Sequence, residues 1–307
     1  QLSSSLKRSQ RDVAKWGTKV NLTLGNVAKS IGGKFAQMAN PANALGTALA
    51  GAFGLGKIVK AAADYETALV GVVKTTGLAG RELASFEAEM SGFVKTFAIS
   101  KGVETKDLAK FTKIMAEMGV ATDVAGAEGA KSIARLLAVT KEGISEADRF
   151  TSALVDLGNS AKASEGEIMH MATMVGQATA IFGVSGADVL GISTAMKELG
   201  LRAESSGSSV GRAMIAVNTA IESGGASAAA MAETMGMSVE DLATSFEDNA
   251  FDTFLTFLDR LKDQGRGAVT TLQKFKIAGA EDVKVLLSLA GNTELLRAKL
   301  EQSGAAW

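Results

Sequence analysis

The chain has 307 residues, 47% of them hydrophobic and 21% charged, with a formal net charge of −1. That is ample apolar material for a core, and too even a charge balance for a general nucleic-acid binder. Cysteine is absent, which excludes disulfides and thiolate metal sites, and a single proline stands against 34 glycines. Few prolines let helices run, and glycines then stop them. Val, Ile and Tyr do not gather into alternating runs, so no strand is expected. The fold class is all-α: an array of many short to medium helices with glycine junctions, with room for one longer N-terminal helical region.

Residues 1–34 form a basic helical leader. Lys7, Arg8, Arg11, Lys15, Lys19, Lys29 and Lys34 face only Asp12, so the first forty residues carry +6 and the remainder −7. Such a leader suits phosphates, lipid head groups or an acidic protein wall, and an ordinary solvated helix face explains it as well. The basic start is not followed by an apolar core with a small-residue cleavage site, so no signal peptide is expected. Residues 35–60 are an Ala/Gly-rich segment, uncharged from Phe35 to Gly56. Ala44, Ala48 and Ala52 recur at i, i+4, with Leu45, Leu49 and Phe53 beside them. Small residues at that spacing let helix backbones approach closely. The length suits a membrane as well as a helical assembly. Gln37, Asn40, Pro41 and Asn43 favour the assembly.

Residues 61–307 read as a helical core. A helix from Ile58 to Val73 should close at Thr75-Thr76-Gly77. Stripes follow at helical spacing: Leu83, Phe86, Met90, Phe93 and Phe97, then Leu108, Phe111, Met115 and Met118 up to Gly119. Ile133, Leu136 and Leu137 lie on a helix ending near Gly143, and Phe150, Leu154 and Leu157 on one ending at Gly158. Ser164 and Glu167 form a capping box for a helix running to Phe182. Gly183 suits the left-handed stop, and Ser185 with Asp188 starts the next helix. That helix ends at Leu199-Gly200-Leu201, and the Ser205–Ser209 run restarts the chain into Val210–Val217. A helix from Ser238, a stripe of Phe251, Phe254, Leu255, Leu258 and Leu261, and leucines through Leu300 complete the chain.

The order FGVSGADV, then MKELGLRAESSGSSVGRAM, resembles the core region of bacteriophage tail tape measure proteins. The residues that carry the likeness are Phe182, Gly183, Ser185, Asp188, Gly200, Ser206, Gly207, Gly211 and Arg212, a helix-junction signature. Ala63–Leu69 upstream and Met235–Leu242 downstream are similar as well. The likeness spans about Ala61 to Leu300. Asp123–Leu137 departs from it as an apparent insertion. The resemblance implies a structural virion protein in the tail lumen or tip. It implies packing in several copies, with three or six natural around a symmetric tube, and a part in setting tail length and in genome delivery. Implied partners are tube and tip or baseplate proteins, tail assembly chaperones, and host membrane and phage DNA during ejection. The host cytoplasm is the implied place of assembly, and the cell envelope the destination after ejection. A membrane-active translocator or toxin would share the 35–60 segment, and a soluble helical adaptor would share the helices.

Enzyme motifs do not survive their context. Gly51–Lys57 approaches a phosphate-binding loop, but Ile58 stands where a Ser or Thr must hold magnesium. Gly207-Ser208-Ser209-Val210-Gly211 spells a nucleophile elbow, but the one histidine, His170, lies upstream instead of downstream. One histidine and no cysteine leave no metal site or cofactor to expect, so the chain is read as no enzyme. The twelve methionines suit core gaps, or a surface that repacks against copies.

Overall fold

The computed structural model describes residues 105–124 and 126–307, together with Thr76 and Ser85. The chain divides into two units, Gln1–Glu117 and Met118–Trp307. The basic leader, the 35–60 segment and the stripe from Leu83 to Phe97 lie outside the described residues, apart from Thr76 and Ser85 nearby. Thr76, which the sequence assigns to a turn, is helical.

Among the described residues the fold is all-α, with no strand. The elements are α1 (Thr105–Ala121), α2 (Gly126–Val139), α3 (Ala147–Ser160), α4 (Glu165–Thr179), α5 (Gly186–Glu198) and α6 (Ala203–Ser223), followed by α7 (Gly225–Met235), α8 (Val239–Asp248), α9 (Ala250–Gln264), α10 (Ala268–Lys274), α11 (Ala280–Gly291) and α12 (Thr293–Ala306). Three short 3-10 turns join them, at 144–146, 180–182 and 265–267. The longest, α6, has 21 residues, about 32 Å of helix.

The sequence stripes become the core. Phe150, Leu154 and Leu157 of α3, Ile168, Met171 and Val175 of α4, and Phe254, Phe257 and Leu258 of α9 are fully buried. Helix α4 is the hub, packed by α2, α3, α5 and α6, while α12 closes over α3 and α5. On the other side of α6 lie α7, α9 and α11. The segment that looked like an insertion is part of this core. Ile133, Leu136 and Leu137 sit on the buried face of α2, and Leu136 lies where a side chain on Gly176 of α4 would go.

Helix ends follow the sequence signals where the signal is local. Gly200 and Gly236 adopt left-handed φ values of 68° and 69°. Each makes the paired closing bonds of a Schellman turn, with Leu201 N to Met196 O at 3.0 Å and Met237 N to Ala232 O at 3.0 Å. Ser164 and Glu167 form a full capping box. Three expected stops move. The helix expected to end at Gly119 runs on to Ala121. The helix expected to end at Gly158 runs on to Ser160. The helix placed near Gly143 ends at Val139, and it is Lys141, not a glycine, that turns left-handed (φ 64°). The Glu142 N to Leu137 O bond, 2.7 Å, holds that turn.

Candidate functional site

The residues of the junction signature converge on α4, α5 and α6. Gly207 and Gly211 lie one helical turn apart on α6 and face α4. A Cβ on Gly207 would stand 2.6 Å from the backbone C and O of Met174, and one on Gly211 2.8 Å from the carbonyl O of Ala178. Only the absence of a side chain lets the two backbones cross so closely. Beside them Ser206 is fully buried, its hydroxyl without a hydrogen-bond partner. Here small size, not polarity, is what the crossing uses. The Ser205–Ser209 run is therefore not the restart that its composition suggests, because α6 is already helical from Ala203. Serine and glycine are poor helix formers, but tertiary packing overrides that preference.

A second close approach joins α5 to α12. A Cβ on Gly191 would lie 2.8 Å from Leu300 Cα and 3.0 Å from Lys299 O. The sequence does carry a signal for this role, since Ala187, Gly191 and Ala195 recur at i, i+4, the small-residue spacing that lets helix backbones approach closely.

Between these crossings lies the α4–α5 turn. Gly183 is left-handed (φ 67°), and Phe182 meets Phe246 of α8 edge-on at 5.7 Å. Ser185 caps α5 by accepting from Asp188 N at 3.1 Å. The shorter aspartate does not complete a capping box. Its carboxylate instead accepts a hydrogen bond from the Ser185 hydroxyl, at 2.6 Å. Burial pushes the Asp188 carboxyl up, the Ser185 hydrogen bond opposes that, and the charge of Asp252 adds to the rise. Ionising Asp188 therefore costs the folded state stability as pH rises from the unfolded towards the folded value.

Polar side chains distant in sequence fix the helix ends. Asp123 accepts from Ser164 Oγ at 2.6 Å and from Gly166 N at 2.7 Å, placing a carboxylate on the N-terminus of α4. Glu142 accepts from Gly186 N at 2.9 Å and does the same for α5. Asp282 of α11, buried, receives Arg212 of α6 through Nε at 2.9 Å and through Nη2, and lies 2.7 Å from Ser209 Oγ. Ser209, the would-be elbow nucleophile, is thus a fully buried mid-helix side chain. Glu198 at the end of α5 pairs with Lys299 of α12 at 3.0 Å, both side chains largely buried, and Lys299 also donates to Ser160 of α3 at 3.0 Å.

Burial would raise the Asp282 carboxyl, but the hydrogen bonds from Arg212 and Ser209 and the guanidinium charge hold it below the usual aspartate range. A depressed carboxylate stabilises the fold fully above its unfolded value and loses that contribution as pH falls through the folded one. Asp282→Asn should accordingly lower stability at pH 7, and the gap to the parent should shrink as pH falls below about 4. Urea unfolding at stepped pH checks this.

The remaining sequence candidates are quickly placed. His170 lies on the exposed side of α4, 3.3 Å from Glu204. Among the described residues no three His, Cys, Asp or Glu side chains cluster to hold a metal, and no helix is long and apolar enough to cross a membrane. Lys7, Arg8, Arg11, Lys15 and Lys19, and Ala44, Leu45, Ala48, Leu49, Ala52 and Phe53, lie outside the described residues.

The family model described as "Phage-related minor tail protein" matches residues 88–280, which hold the α4–α6 crossing, while Asp282, the α11 partner of Arg212 and Ser209, lies just beyond it. No curated protein and no solved structure matches the chain.

Proposed function

Because this chain belongs to the phage-related minor tail protein family, we propose that it is the tail's tape measure, and that Met118–Trp307 is a folded body of that protein, not a stretch of its ruler. The observation that carries this is the helix layout. A ruler gains about 1.5 Å per residue only as one continuous helix. Here the chain turns at left-handed Gly183, Gly200, Gly224 and Gly236, and its helices cross at Gly191, Gly207 and Gly211.

The same layout supports a part in genome delivery. Helices shorter than about 12–15 residues are marginal in water once separated, because packing supplies most of their stability. Several here are of that size or shorter, α7, α8, α10 and α11 among them. Pulled apart, such a body becomes a thread that passes a narrow tube and repacks beyond it. Copies of the chain, three or six, pack in the tube lumen or at the tip, with tube, tip and chaperone proteins as partners. Host membrane and DNA are met during ejection. The role is structural, not enzymatic.

Quantitative mass spectrometry of purified tails tests the reading. Peptides from residues 105–307 should be present at three or six copies per tail. Their absence from purified tails that are otherwise complete would overturn it.

A further inference from the structure

The charges of the described unit are divided along the chain. From Ala213 to Asp259 there are eight acidic residues and no Lys or Arg. From Arg260 to Lys276 there are five bases against Asp263. On α8, Leu242 and Phe246 are buried and hold the helix to its own chain. The other side is exposed and carries Glu240, Asp241, Glu247 and Asp248, none of which takes part in an ion pair among the described residues. At its first turn Val239 is 37% exposed.

A cleft of about 330 Å³ has the complementary character. Its apolar floor is formed by Ile215, Ala216 and Ala220 of α6 with Phe275 and Ile277 after α10, and Ile215 is 47% exposed. Lys274 and Lys276 stand on its rim, both exposed. Among the described residues neither lysine has a carboxylate partner, and the Lys274 ammonium lies over the ring of Phe275, 5.9 Å from its centroid. Lys276 holds a left-handed backbone (φ 61°), a position that favours glycine. The Ile277 N to Leu272 O bond, 2.8 Å, fixes that turn and with it the rim.

We propose that this cleft receives the acidic face of α8 from a second copy of the chain. Glu240 and Asp241 meet Lys274 and Lys276 on the rim, above the floor of Ile215 and Phe275. Within one chain the cleft's Ser227 lies in the first turn of α7, about 12 Å of helix before its last residue, Met235, after which α8 begins. Among the described residues no ion pair joins the two charge sets within one chain. Such a contact uses different patches on the two partners, so it propagates from copy to copy and closes into a ring when the rotation allows. The contact deepens the reading that copies pack together, but it stands on the cleft and the charges alone.

The test is sedimentation velocity of the full 307-residue chain at low and high salt, with circular dichroism as a folding check. The parent should self-associate, and salt should weaken the association. Lys274→Glu with Lys276→Glu, and separately Glu240→Lys with Asp241→Lys, should each raise the dissociation constant about tenfold or more while the chain stays folded. Mixing the two variants should restore association, because each then offers the surface that the other lacks. A parent that stays monomeric, or association that neither reversal weakens, or a mixture that stays apart, overturns the contact. In the second case copies still assemble by another surface, and the tail reading stands or falls on the mass spectrometry of tails.

Discussion

Gly207→Ala combined with Gly211→Ala is expected to destabilise the chain by at least about 2 kcal/mol in urea unfolding. Taken alone, helix propensity predicts the reverse, since each alanine should favour α6 by about 1 kcal/mol. The opposing effect is steric. Each new methyl meets the main chain of α4, at Met174 and at Ala178, and main chain inside a packed helix cannot move aside as a side chain can. The decisive comparison is Gly304→Ala, in α12, where no atom lies within 4 Å of the added carbon. That variant should be neutral or gain up to about 1 kcal/mol. If both sets behave alike, the close crossing of α4 and α6 is not what holds this unit together.

Removing Glu198 is the second large effect. Glu198→Ala leaves the Lys299 ammonium largely buried, with Ser160 and Gln302 as its remaining hydrogen-bond partners among the described residues. Breaking such a pair from one side costs about 3–5 kcal/mol, most of it the stranded charge. Arg297→Ala breaks a more exposed pair, to Asp259, and should cost less than about 1 kcal/mol. Glu198→Ala with Lys299→Met should recover most of the loss, because the stranded charge is then gone. Thermal unfolding of the three variants separates these outcomes.

What the sequence made legible were the features with short-range causes. The Ser164 box, the Ser185 cap and the left-handed glycines at 183 and 200 each depend on residues within a few positions, so composition and order reveal them. The apolar stripes are likewise local, and those within the described residues became the core. The misreadings share one cause. Gly207 looks like a loop residue because nothing nearby shows that Met174 lies 2.6 Å from its missing side chain. Asp123 looks like part of an insertion because the helix end it caps begins 41 positions later. Arg212 and Asp282 are 70 positions apart. Lys141 turns left-handed without the glycine that would have announced it. Tertiary partners choose these roles, and a single sequence does not name them.

The junction signature thus divides into two kinds of residue. Phe182, Gly183, Ser185, Asp188 and Gly200 turn the chain, whereas Gly207 and Gly211 let it pack once turned. Both kinds are needed for a body that folds back on itself, and neither serves a straight spacer.

The most direct test of that distinction is tail length, measured by electron microscopy, in phage whose intact gene lacks residues 118–307 in frame. The account predicts tails of unchanged length, or no complete tails at all, because a folded body adds no axial span. Complete tails shortened by about 1.5 Å for each residue removed, roughly 280 Å in all, would contradict it and make this region part of the ruler.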